Sequence, residues 1–196
     1  DVIQEIHRKY LEAGADIIET NTFSSTTVSM ADYHVADYVR ELNLAAVKIA
    51  REVADEYSAK TPHKPRFVAG SVGPTNKTCS MSPDVNNPAF RALSFDGLVL
   101  AYQQQIEALL EGGVDAILIE TIFDTLNAKA AIFAAEKAMK VVGVEVPVML
   151  SVTVSDIGGR TLSGQTLEAF LASVQHANIL SVGLNCSFGA SQLKPF

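Results

Sequence analysis

Apolar positions in this chain alternate between two periods. Residues 2–12 place Val2, Ile3, Ile6, Tyr10 and Leu11 on one helical face, and Gly14 supplies a stop. Residues 15–23 then read as a short buried strand, β-branched and aromatic in bias, leaving into a Thr/Ser run. The unit recurs along the chain. The pattern predicts a helix over about 36–59, a strand at 66–72, a helix at 96–111 and a strand at 115–123. It continues with a helix at 125–142, a strand at 147–154, a helix at 166–176 and a strand at 180–186. An internal echo supports the reading. Gly14 through Glu19-Thr20 resembles Gly113 through Glu120-Thr121, and the second copy is two residues longer between Gly and Glu. Side chains on a strand alternate with period two, so the even insertion leaves Glu19 and Glu120 on equivalent faces.

Strands alternating with helices predict an α/β fold with a parallel sheet. No dinucleotide-type glycine fingerprint or phosphate-cradling Gly-Lys-Ser/Thr loop favours an open doubly wound sheet. A (β/α)8 TIM barrel is therefore expected, present as a partial barrel of about five βα units. Such barrels typically take roughly 250 residues, so the reading is of one domain over residues 1–196 that lacks the first and last strands. On that reading the fragment alone is expected to be inactive.

Composition narrows the function. Fifteen Lys and Arg against 22 Asp and Glu give a formal net charge of -7. That field repels polyanions, so neither nucleic acid nor anionic membrane is an expected partner. The apolar runs are interrupted well short of the ~20 residues of a spanning helix. The two cysteines, Cys79 and Cys186, lie far apart without a secretory start, which points to free thiols and a cytoplasmic location. The glycosylation-like triplets at Asn76 and Asn185 are read as accidental for the same reason.

Ligands of parallel αβ folds gather at the carboxyl ends of the strands. Here those ends are unusually polar: Glu19-Thr20-Asn21-Thr22, Ser71 to Asn76, Glu120-Thr121, Ser151-Val152-Thr153 and Asn185-Cys186-Ser187. Buried polar groups need partners, and a small polar ligand can supply them; the strand ends can also satisfy one another. Glu120 ends an apolar strand, where a carboxylate recruits a cation, either a ligand ammonium or a neighbouring Lys or Arg. Cys186 holds the corresponding place on the last strand. A thiolate there could be nucleophile or metal ligand, although the local residues alone favour a buried, inert thiol. Residues 73–94 read as a lid or binding loop without regular structure, in which Cys79 is expected to be mobile. Residues 158–165 read as a second loop, glycine-rich, with free amides able to hold a carboxylate. The histidines, His7, His34, His63 and His176, fall away from the strand ends, so no metal site closes within the chain.

Five stretches together carry a family resemblance. They are Gly14-Ala-Asp-Ile-Ile-Glu-Thr-Asn-Thr-Phe23, Val68-Ala-Gly-Ser-Val-Gly-Pro-Thr-Asn76, Ile119-Glu-Thr-Ile-Phe-Asp-Thr-Leu-Asn-Ala-Lys-Ala130, Gly159-Arg-Thr-Leu-Ser-Gly-Gln-Thr166 and Gly183-Leu-Asn-Cys186. Over essentially its whole length the chain resembles the homocysteine-binding domain of cobalamin-dependent methionine synthase. The first, second and fifth stretches suit any homocysteine S-methyltransferase, whereas those from Thr125 and Arg160 resemble methionine synthase in particular.

The resemblance implies a methyltransferase of methionine biosynthesis that binds homocysteine as a zinc thiolate. Zinc would be held by three cysteines, with Cys186 matching the first and an adjacent Cys-Cys pair, absent from these residues, supplying the others. Glu120, Thr121, Ser151 and Asn185 would bind substrate, with Glu120 on its ammonium group. The methyl group would come from methylcobalamin on another module of the same parent chain, recharged on a methyltetrahydrofolate-binding module. One rival is a stand-alone homocysteine S-methyltransferase using betaine or S-methylmethionine. Rivals of other classes are an inactive structural fragment and a barrel lyase, for which a strand-end Lys is expected and none is evident.

Overall fold

The computed structural model describes residues 2–196. Helix α1 (Val2–Glu12) leads into β1 (Ile17–Glu19), and the short α2 (Thr27–Met30) precedes the long α3 (Val39–Lys60). Then follow β2 (Phe67–Val72), α4 (Phe95–Gly112), β3 (Ala116–Ile122), α5 (Thr125–Val142), β4 (Val148–Val152), α6 (Leu167–Val174), β5 (Ile179–Leu184) and α7 (Ala190–Leu193). The five strands form one sheet in sequence order, every neighbouring pair parallel, with β1 and β5 at its edges. This is the arc of a barrel that the alternation predicts. The expected element boundaries need three corrections. The first strand is shorter than the pattern suggested, since Thr20 to Phe23 has left the ladder. Residues 36–38 form a 3-10 turn ahead of α3. The four-residue α2 and α7 are too short for periodicity to reveal.

Registry decides which side chains enter the barrel. A Cβ on Gly70 would lie 3.1 Å from Leu109 of α4, so Val68, Gly70 and Val72 face the helices. Phe67, Ala69 and Ser71 therefore face the lumen. Ile17 and Glu19 pair with Phe67 and Ala69, which puts Glu19 on the lumenal face as well. The outer face packs against α3, α4 and α5 to make the core, with Leu98, Ile106, Leu109, Ile117, Leu150 and Phe170 fully buried. At the opposite end of the sheet from the polar rim, Asp115 accepts from the Val68 amide and the Arg51 guanidinium. That repeat-motif aspartate fixes the start of β2.

The two glycines at the end of α4 have separate roles. Gly113 adopts a left-handed cap with φ 90°, as a helix stop requires. Gly112 lets α3 approach: a Cβ there would lie 2.8 Å from Val47.

Candidate functional site

The polar ends of the five strands form a connected rim. Thr22 donates to the Ser71 carbonyl (2.7 Å), and the Ser71 amide donates to the Thr20 hydroxyl (3.0 Å). The Ser71 hydroxyl in turn donates to Glu120 Oε1 at 2.5 Å. From β5, Asn185 Nδ2 donates to Thr121 Oγ1 (2.9 Å) and to Cys186 Sγ (3.2 Å). Asn185 Oδ1 accepts from Ser151 (3.0 Å) and Thr153 (3.2 Å) of the β4 end. The sequence-predicted Glu120, Thr121, Ser151, Asn185 and Cys186 are thus brought together by direct hydrogen bonds. Strand ends satisfying one another and strand ends gathering at one rim are the same arrangement.

A register irregularity in β3 creates it. Ile119 pairs with Leu150 and Ile122 with Val152, so three steps on β3 match two on β4. Ile122 and Val152 are both buried, and the extra residue lets Glu120 and Thr121 both reach the rim network. The cost is visible in the backbone: Thr121 has φ 56°, and Cys186 and Ser187 have φ 60° and 55°. Left-handed conformations are strained for such residues, β-branched Thr above all, and persist where the surroundings hold them. Among the described residues, three of the four non-glycine residues with positive φ lie at this rim.

The electrostatics are acidic. Among the described residues Glu120 has no Lys or Arg partner, so the expectation of a neighbouring cation gives way to a hydroxyl donor, Ser71. Burial, and then the nearby Glu120 charge, raise the Glu19 carboxyl above the ordinary glutamate value. Two lumenal carboxylates of one sign set up a potential that attracts a cationic group.

The two cysteines exchange their expected settings. Cys186 is exposed rather than a buried, inert thiol, because its left-handed corner turns it off the end of the strand. Cys79 is buried rather than mobile. Its amide donates to Asn127 Oδ1 (2.9 Å), and burial, together with the Asp124 charge, pushes its thiol up. The long 73–94 loop does lack regular structure, but it is tethered. Asp124 caps α5 and also accepts from the Ser80 hydroxyl (2.6 Å) and amide (3.2 Å), while Asn127 donates to the Lys77 carbonyl (3.1 Å). Its first turn is locked by contact: Gly73 donates to the Phe23 carbonyl at 3.1 Å, and a Cβ on Gly73 would lie 2.6 Å from that oxygen.

The 158–165 loop also departs from expectation. The amides of Gly158 and Arg160 donate to the Asp156 carboxylate, and that of Gly159 to its carbonyl. Those of Thr161, Ser163, Gly164 and Gln165 are likewise donated within the chain. The loop closes on its own backbone and presents no cradle of free amides. Its side-chain tie to α5 is Thr125 donating to Gln165.

Among the described residues no cluster of three or more His, Cys, Asp or Glu could hold a metal ion. Cys186 nevertheless fits one position of a thiolate-rich metal site: its sulfur is exposed at the rim and contacts only an N–H donor. Cys79 is buried away from it and cannot complete the set. Two cavities open beside the sheet, the first of them sharing Glu19 and Thr20 with the rim. One of about 430 Å³ runs along the β1 edge beside α1, and another of about 550 Å³ lies between α5 and the start of β5. No helix among the described residues is long and apolar enough to cross a membrane.

Three solved structures of the homocysteine methyltransferase MmuM from Escherichia coli share the fold. The metallated form superposes with a TM-score of 0.74 at 24% identity, covering 94% of this chain and 62% of that one. The apo form gives 0.70 at 23%, covering 97% and 63%, and the oxidized form 0.73 at 23%, covering 94% and 61%. This chain therefore spans a little over three fifths of the length of those relatives. Over residues 1–196 the sequence matches the homocysteine S-methyltransferase family, and with the parallel arc and its polar rim in place, the chain belongs to that family.

Proposed function

We propose that this chain is the homocysteine-binding barrel domain of a cobalamin-dependent methionine synthase, a cytoplasmic enzyme. The observation that carries this reading is the rim: an acidic group, hydroxyls and one exposed thiol, contributed by the ends of four strands, joined in one hydrogen-bonded unit. Homocysteine has complementary parts, an ammonium at one end and a thiol at the other. Glu120 receives the ammonium, pre-aimed by Ser71, with its second oxygen facing Thr121. Thr121, Ser151 and Asn185 bound that end of the site, and Cys186 marks the sulfur end.

A free thiol near pKa 8.5 is mostly protonated at neutral pH. Zinc, held in part by Cys186, would supply the charge that keeps the homocysteine sulfur deprotonated and nucleophilic. The chain's own residues fix the other end of the substrate, so the sulfur presents one lone pair toward the open rim. The methyl group would arrive there from methylcobalamin carried on another module, itself recharged from methyltetrahydrofolate on a third.

The stretches from Thr125 and Arg160, whose likeness is to methionine synthase in particular, favour this reading over a stand-alone enzyme using betaine or S-methylmethionine. In the fold they touch through Thr125 and Gln165. Methyl transfer to homocysteine measured in the intact protein, with methylcobalamin, S-methylmethionine and betaine offered separately, tests it. Turnover with methylcobalamin alone is expected. Turnover with either of the other donors and none with methylcobalamin would assign the stand-alone reaction.

A further inference from the structure

Asn185 was grouped with the substrate ligands, yet its carboxamide has nothing left to offer one. A primary amide has two N–H donors and an oxygen with two lone pairs. In Asn185 both donors are used, on Thr121 Oγ1 at 2.9 Å and Cys186 Sγ at 3.2 Å. Both acceptor positions are used as well, by Ser151 Oγ at 3.0 Å and Thr153 Oγ1 at 3.2 Å. The four partners come from the ends of three strands. Two of them, Thr121 and Cys186, are the residues that sit in strained left-handed backbone at φ 56° and 60°. Conformations of this kind need surroundings that over-determine them. The carboxamide ties the corner that follows β5 to the ends of β3 and β4.

We propose that Asn185 is a positioning residue: its saturated carboxamide clamps the corners at Thr121 and Cys186, fixing the sulfur relative to the Glu120 carboxylate. The two ends of the site are thereby coupled. Removing a hydroxyl on β3 changes how Cys186 is held on β5, although Thr121 and Cys186 share no direct hydrogen bond. The proposal rests on the assignment of Cys186 as a metal ligand only for its zinc readout; the clamp itself is a property of the fold.

The test compares Asn185→Ala, Thr121→Val and Thr121→Ser in the intact protein. Valine keeps the shape and β-branching of threonine, so the backbone strain is unchanged and only the hydroxyl is lost. Serine keeps the hydroxyl. Zinc affinity is measured without homocysteine, by competition with a chromophoric chelator. Asn185→Ala and Thr121→Val should each weaken it by about tenfold or more, the usual effect of removing an outer partner of a metal ligand, and Thr121→Ser should stay near the parent. Hydrogen exchange of the metal-free protein, followed by mass spectrometry over residues 184–188, should accelerate by about fivefold or more in the first two variants and not in the third.

Unchanged zinc affinity and exchange in Thr121→Val would overturn the clamp, whatever Asn185→Ala does, because Asn185 would then be a local neighbour of Cys186. A loss confined to homocysteine binding would overturn it too, returning Asn185 to the substrate ligands. A parent protein that binds no zinc would instead sink the metal assignment, and the exchange measurement would still decide the clamp. Should Asn185→Ala fail to fold, the Thr121 pair decides alone.

Discussion

Replacing Glu120 by Gln changes a charge and almost nothing else. The amide keeps the length and the oxygen that accepts from Ser71 at 2.5 Å, so the local hydrogen bond survives. What is lost is the attraction between a carboxylate and a substrate ammonium. Truncating one member of a buried charged pair costs about 2 to 5 kcal/mol. Glu120 is half-buried, so screening by water places the loss at the lower end. About 2 kcal/mol corresponds to roughly thirtyfold weaker homocysteine binding. Isothermal titration on the metal-loaded protein measures it, with 4-mercaptobutyrate, which lacks the ammonium, as the control ligand. Its affinity should stay constant or improve slightly when the negative charge is removed. A homocysteine affinity within about threefold of the parent, where a loss of roughly thirtyfold is expected, would refute the ammonium role. So would an equal loss for the amine-free ligand.

Three further outcomes follow from the same geometry. Asp124→Ala removes a helix cap worth about 1 kcal/mol and leaves Ser80 without its acceptor, for a total destabilisation of about 2 kcal/mol. Denaturant melts should show it, and limited proteolysis should become faster within residues 73–94. Gly112→Ala should destabilise by about 1 to 3 kcal/mol through overpacking against Val47, readable in the same melts. Glu19 has a raised carboxyl, so the folded protein holds that proton more tightly than the unfolded chain does. Stability is therefore fullest below its ordinary value of 4.5 and declines as pH rises from there through the raised value. Glu19→Gln should flatten that decline in melts recorded across the range; an unchanged slope would show that the carboxyl carries no such penalty.

Much of the fold is legible in the residues because its signals are local and repeated. The 3.6-residue and two-residue periods, the glycine stops and the Gly14 and Gly113 echo each mark one unit, and a parallel sheet in sequence order is what such units build. The rim residues Glu120 and Cys186 are legible for a related reason: polar side chains ending apolar strands are costly without partners. Their conformations are not. Nothing in Glu120-Thr121 announces a register shift, and nothing in Asn185-Cys186-Ser187 announces two successive left-handed residues, because both depend on pairing with another strand. The expectation of a buried Cys186 failed at that point, where the thiol is exposed on the left-handed corner. The free amides expected at 158–165 failed for a similar reason: Asp156 lies just upstream of the loop, and its carboxylate folds onto the glycines. One missed signal was available. Asp124 directly before a helical run is a capping residue by type, and its position could have tied the long loop to α5.

The central claim is that Cys186 is a metal ligand in a site that activates homocysteine. Zinc content per chain, determined by elemental mass spectrometry on the intact protein and on Cys186→Ala alongside a homocysteine titration, tests it most directly. The account predicts close to one zinc in the parent and little in the variant, with homocysteine binding lost alongside the metal. Unchanged zinc in Cys186→Ala, or homocysteine bound equally well without the thiol, would contradict it.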